Sequence, residues 1–192
     1  MTTRPAGQSI DIATARFRLR TLTPADASAR WQDWGKDPQV MGPLNAPVRD
    51  MPLNYLANYA ASFDNEHRHL IGIFDKASDT HIGFFIIEID RVHRCATFNV
   101  VIGDKIWWGK SVVNETRAAL LDHFFERRGV EKAIGSPLAR NFPAVFNYKA
   151  QGWRHEGTLR GHRLSVNDGA RLDQYQFGLL RDDWRKLRKA GA

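Results

Sequence analysis

The chain of 192 residues has one cysteine, Cys95, which rules out an intramolecular disulfide and fits a reducing, intracellular compartment. No apolar run reaches the roughly 18 residues that a membrane-crossing helix needs. Residues 1–10 carry Arg4 but no apolar stretch after it, so no secretory leader is expected and the chain reads as a soluble cytoplasmic protein without membrane partners. No set of Cys and His shows metal-ligand spacing, which argues against a metal centre. Internal repeats and low-complexity segments are missing too. Acidic residues are in deficit: 21 Asp and Glu against 28 Lys and Arg give a formal charge of +7. That surplus favours anionic partners such as phosphates, but the basic residues are spread along the chain and no recognition helix stands out, so nucleic acid is not the expected partner.

What remains is 43% hydrophobic, enough to build one core, so residues 14–192 are expected as a single globular domain behind a flexible arm at 1–13. Phe17 to Leu22 alternates like a strand. Thr23-Pro24-Ala25-Asp26 is a helix start, with Thr23 as cap and Asp26 closing a capping box, and the helix carries Trp31 and Trp34. The proline-bearing stretch 36–52 reads as loop, and a second helix is expected over Leu53 to Glu66. Then come three closely spaced strands, at 69–74, 81–90 and 95–102, expected to be consecutive and antiparallel. A helix stripe through Val112, Val113, Thr116, Ala119, Leu120, His123 and Phe124 ends at Gly129, with Arg117 outside the stripe. The strand at 132–136 follows this long crossover and is expected to lie parallel to the strand before it. Asn141 caps a further helix, and two final strands flank Asp168-Gly169.

The stretch from Ile106 to Leu121 is the functional candidate. It runs strand, loop, helix, and the unpaired N–H groups of a helix start, with the aligned peptide dipoles, attract anions. Gly109-Lys110-Ser111 looks like the end of a nucleotide-binding P-loop, but that motif needs Gly at 104, where Asp stands.

Four segments in this order resemble a known family. Leu19-Arg20-Thr21-Leu22-Thr23-Pro24-Ala25-Asp26, the Trp107-Trp108-Gly109-Lys110 loop with Glu115, Asn141 to Trp153 with Gly152, and Glu156 to Arg160 followed by Asp173 to Trp184 are similar to the RimJ/RimL branch of the GCN5-related N-acetyltransferases (GNAT). The resemblance spans about residues 16–184. It implies an α/β fold of the α+β kind, a mixed central sheet of about seven strands, mostly antiparallel with a central parallel pair, flanked by helices.

The resemblance further implies transfer of an acetyl group from acetyl-CoA, with no metal, to a primary amine, either a protein N-terminus such as that of a ribosomal protein or a small amine. On that basis the pyrophosphate meets Trp108, Gly109, Lys110, Ser111, Val112, Val113 and Asn114, the pantetheine arm meets Val101, Ile102 and Gly103 with Asn141 nearby, and Tyr148 is the general acid. Glu88 is the candidate base, with Asp90, His93 and Glu115 left open beside it. A binding protein built on the same fold without turnover is the alternative, and a homodimer is left open. Ser111 and Val113 stand where the family loop has its smallest residues; a positive φ at 111 would cost serine roughly 1 kcal/mol over glycine.

Overall fold

Period-two alternation decides where the strands lie. In β4 (Thr80–Asp90) Phe85 and Ile87 point to one face while Phe84 and Ile86 point to the other, so this strand needs cover on both sides. The computed structural model, which describes residues 7–190, supplies that cover as a three-layer arrangement. With β1 (Asp11–Ala13), β2 (Phe17–Thr21), β3 (Arg68–Asp75), β5 (Cys95–Ile102), β6 (Lys132–Gly135), β7 (Arg154–Leu164) and β8 (Arg171–Leu180), β4 forms one sheet in the order β1-β2-β3-β4-β5-β6-β8-β7. Every neighbouring pair is antiparallel except β5 and β6.

The strand count is eight, not about seven. The added strand is β1, which pairs Asp11 with Arg20 and Ala13 with Arg18. The arm expected over residues 1–13 therefore ends before β1: Ile10 is buried, and its N–H donates to the Thr21 hydroxyl at 2.8 Å. Residues 1–6 of that arm lie outside the described residues.

One face of the sheet is covered by α4 (Val112–Arg127), α5 (Phe142–Ala150) and α6 (Arg181–Ala190), with Leu120, Leu121, Phe124, Phe125 and Trp184 against Phe85, Ile87 and Phe98. The other face is covered by α1 (Ala29–Lys36), α2 (Pro38–Met41) and α3 (Leu53–Ala61), with Trp31, Trp34, Val40 and Leu56 against Leu70, Phe74 and Phe84. The helix expected from Thr23 is broken in two. The Asp26 carboxylate accepts from the N–H and hydroxyl of Thr23 and from Arg20, closing a single 3-10 turn, and the chain restarts under Ser28, whose hydroxyl caps the Trp31 N–H. The stretch 36–52 read as loop contains α2. The helix expected to reach Glu66 stops at Ala61, because the Asp64 carboxylate gathers the N–H groups of Glu66, His67 and Arg68 into a turn.

Since α4 is the crossover between β5 and β6, these two strands run parallel. They share three rungs, Cys95 with Lys132, Ala96 with Ala133 and Thr97 with Ile134. Beyond Thr97, β5 stays on β4 up to Ile102, while the chain after β6 turns to β8 through the Leu138–Gln174 bridge. The sheet is thus open between its two central strands.

Candidate active site

Strand alternation decides which polar groups line this opening. Gly103 turns its N–H toward β4, donating to the Ile82 carbonyl at 3.0 Å. The Phe98 carbonyl instead accepts from the Tyr148 hydroxyl, and the Ile102 carbonyl from the Trp108 indole at 2.9 Å. Phe98, Val100 and Ile102 therefore face the gap, and Val101 and Gly103 face β4. Of the three strand residues expected to meet a pantetheine arm, Ile102 is at the opening. Gly103 instead makes room for Trp34, since a Cβ at this position would run into the Trp34 ring.

At the end of β5 a short turn, Lys105–Trp107, leads into the loop. Gly109 and Ser111 both adopt left-handed backbone, with φ of 74° and 57°. The first helical bond of α4 runs from the Glu115 N–H to the Ser111 carbonyl at 3.1 Å, so the N–H groups of Val112, Val113 and Asn114 precede the ladder and point out of the helix end. The Val112 side chain is buried in the core, and so only its backbone can serve a ligand. The Asn114 side-chain oxygen is buried with no hydrogen-bond partner, while its carbonyl accepts from Gln151 at 2.9 Å. Lys110 is exposed, its ammonium 5.3 Å from the Trp107 ring centroid.

From the other side of the gap comes α5. Tyr148 lies beneath Gly135, where a Cβ would collide with its ring, and it stacks on Phe177 with centroids 5.2 Å apart and planes at 11°. Its hydroxyl reaches the Phe98 carbonyl at 3.1 Å, and burial pushes the phenol above its ordinary pKa. Asn141 caps α5 as expected, accepting from the Ala144 N–H at 3.2 Å; its amide nitrogen donates to Pro43 at 3.1 Å, so the side chain is engaged at both ends.

Arg117 is the residue that sequence reasoning missed. The helical stripe leaves it outside the buried face, but it is 1% exposed, because α4 is covered on two flanks, by the sheet and by α5. Its guanidinium donates to the Gln151 side chain and the Asn147 carbonyl, and stands 4.3 Å over the Tyr148 ring and 5.2 Å from that of Trp153. These partners are all uncharged, and burial lowers its pKa to about 10.

The carboxylates separate. Glu115 accepts from the Thr14 hydroxyl at 2.7 Å and from the backbone and side chain of Arg16, which hold it below the usual carboxylate range although burial alone would raise it. It ties the β1–β2 turn to α4. Asp90 accepts the His93 N–H in the hairpin turn at the closed end of β5, three residues along β4 from the partner of Phe98. Glu88 is next to that partner, on the sheet face covered by α1–α3, half-exposed and 3.5 Å from Arg68. Tyr148 thus lies on the α4–α6 face of the sheet and Glu88 on the α1–α3 face.

Among the described residues no group of three His, Cys, Asp or Glu side chains could hold a metal ion, and no helix is long and apolar enough to cross a membrane. A groove of about 1550 Å³ between residues 7–14 and the outer side of α4 holds neither Tyr148 nor the 108–111 loop.

A family profile described as "Acetyltransferase (GNAT) domain" matches residues 16–152. In structure the chain is similar to a ribosomal-protein-S5-alanine acetyltransferase from Vibrio fischeri (TM-score 0.78, 16% identity, 91% of this chain and 98% of that one). It is also similar to a spermidine N-acetyltransferase from Vibrio cholerae in complex with CoA and spermine (TM-score 0.78, 20% identity, 89% and 99%) and to a GCN5-related N-acetyltransferase from Brucella melitensis (TM-score 0.80, 17%, 99% and 87%). No curated protein matches it by sequence. The chain belongs to the GNAT acetyltransferase domain family.

Proposed function

We propose that this GNAT-family chain is an N-acetyltransferase of the RimJ/RimL-like kind, moving an acetyl group from acetyl-CoA to a primary amine by direct attack in a ternary complex. The observation that carries this reading is the Tyr148 hydroxyl at the opening of the parallel pair, 3.1 Å from the Phe98 carbonyl.

The residues fit the cosubstrate. The N–H groups at the start of α4 and the Lys110 charge suit its pyrophosphate. The gap-facing backbone of Val100 and Ile102 suits the pantetheine amides, and the buried Asn114 side-chain oxygen awaits a donor. Acetyl-CoA supplies an activated acyl group and a thiol leaving group. Tyr148 donates the proton that the departing sulfur takes up, since a phenol with an ordinary pKa near ~10 is protonated at neutral pH and so holds a proton to give. A gap-facing strand N–H polarises the acyl carbonyl. Glu88, on the face covered by α1–α3, takes the amine proton through water.

The acceptor class is a protein N-terminus or a small amine, supported by relatives in structure described as acting on ribosomal-protein-S5 alanine and on spermidine. The test is calorimetry with CoA, followed by thiol release with a panel of N-terminal peptides and polyamines. No binding at millimolar CoA would overturn the reading; binding without turnover on every amine would favour a binding protein built on the same fold.

A further inference from the structure

A buried arginine is normally paired with a carboxylate, because an uncompensated charge away from water costs several kcal/mol. Arg117 is buried against neutral groups alone: the Gln151 side chain, the Asn147 carbonyl and the rings of Tyr148 and Trp153. Gln151 is itself anchored, donating to the Asn114 carbonyl and accepting from the Trp153 indole, so it is fixed from α4 and from the start of β7. This frame aims the cation at one face of the Tyr148 ring while Phe177 stacks on the ring at 5.2 Å.

We infer that Arg117 is a positioning residue for Tyr148: the guanidinium over the phenol ring holds the hydroxyl at the Phe98 carbonyl and stabilises the phenolate formed when its proton leaves. The inference rests on the acid role given to Tyr148 above. In that step the carbon–sulfur bond breaks, its electron pair stays on sulfur, and sulfur takes the Tyr148 proton. The proton lost by the amine nitrogen restores the phenol through solvent, so no further reactant is needed.

Several elements surround the phenol: β5 with the Phe98 carbonyl, β6 with Gly135, β8 with Phe177, residue 153 with its indole, and α4 with Arg117. His155 stands one ring further away, 5.4 Å from Phe177. Lys149 follows Tyr148 on α5 and is exposed. Among the described residues Arg117 is thus the charged group that bears on the hydroxyl, and its charge opposes the upward push of burial on the phenol.

The test is absorbance titration of tyrosinate in the full chain, taking the difference from Tyr148→Phe, together with the alkaline limb of kcat. Arg117→Met is expected to move the phenol midpoint up by about one pH unit, to move the alkaline limb with it, and to lower kcat about tenfold at neutral pH with acetyl-CoA KM within about twofold. Arg117→Lys, which keeps the charge, is expected to restore the midpoint. A kcat loss in Arg117→Met with both midpoint and limb unmoved would overturn the inference and leave the acid role intact; full turnover in Tyr148→Phe would overturn the acid role itself. Should Arg117→Met not fold, Gln151→Met, which removes the acceptor that aims the guanidinium, is expected to shift the midpoint in the same direction, and no shift there would overturn the inference equally.

Discussion

The hydroxyl of Tyr148 lies 3.1 Å from the carbonyl oxygen of Phe98, the first strand carbonyl beyond the last rung that joins β5 to β6. The phenol therefore closes the head of the gap, where the two strands part. Tyr148→Phe keeps the stacking on Phe177 and removes the donor. It is expected to lower kcat roughly 10²-fold while the CoA dissociation constant from calorimetry changes less than about twofold. Unchanged turnover would remove Tyr148 from the chemistry.

Gly135 tests the same position from above. A methyl group there would collide with the Tyr148 ring, which is wedged against Phe177 and cannot retreat freely. Gly135→Ala is expected to cost about 1–3 kcal/mol in denaturant unfolding and to lower kcat by displacing the hydroxyl. Wild-type stability in this variant would show that the ring has room to move.

Ser111 holds φ at 57°, a conformation that costs an L-residue roughly 1–2 kcal/mol. Ser111→Gly is expected to raise Tm by about 2–4 °C, as roughly 1 kcal/mol does in a chain of this size. A fall in Tm would mean that the serine side chain contributes more than its backbone strain costs.

Two buried histidines predict acid sensitivity. Burial lowers the pKa of His81, whose ring stacks on Phe74 and meets Trp31 and Trp34 edge-on, to about 4, and that of His69 likewise to about 4. Around His81, the Gly83 backbone and Asp26 work against this shift, while Arg20 and Arg30 add to it. Because the folded value lies below the unfolded one, the unfolded chain binds the proton first. Stability is full above about pH 6.5 and falls as the pH drops from there toward 4. For His81 the span corresponds to roughly 3 kcal/mol. His81→Phe, which suits a cage of aromatic rings, is expected to flatten the profile in urea unfolding at pH 4.5 against pH 7; an unchanged slope would assign the acid sensitivity elsewhere.

Glu115 separates structure from chemistry. Its carboxylate holds Thr14 and Arg16, so Glu115→Gln is expected to destabilise the chain by about 1–2 kcal/mol while the pH dependence of kcat/KM keeps its shape. Loss of the acidic limb in that variant would make Glu115 a candidate base again.

Much of this architecture was legible in the residues. Apolar alternation marked the strands, the crossover length at 103–131 implied the parallel pair, and Asn141 announced its helix by its capping chemistry. The errors have local causes. Strand alternation has period two, so of Val101, Ile102 and Gly103 only Ile102 turns its backbone groups to the gap, while those of Val101 and Gly103 turn toward β4. Arg117 escaped because a helical stripe records contact with the sheet alone, whereas α5 buries a second flank of α4. Residues 11–13 are short and contain two of their three side chains in the open, so no alternation long enough to count marked β1.

The strand order also has a consequence for how the protein is made. β8 lies between β6 and β7, so the second edge of β6 and the Phe177 ring that supports Tyr148 come from a part of the chain that leaves the ribosome after the loop and the phenol. A nascent chain that has emerged as far as Gln151 already holds the loop, the gap-facing strand and the phenol, but has no wall behind them. Such a chain carries an unsatisfied strand edge at its centre, the kind of surface on which folding intermediates aggregate, until residues 171–180 are inserted.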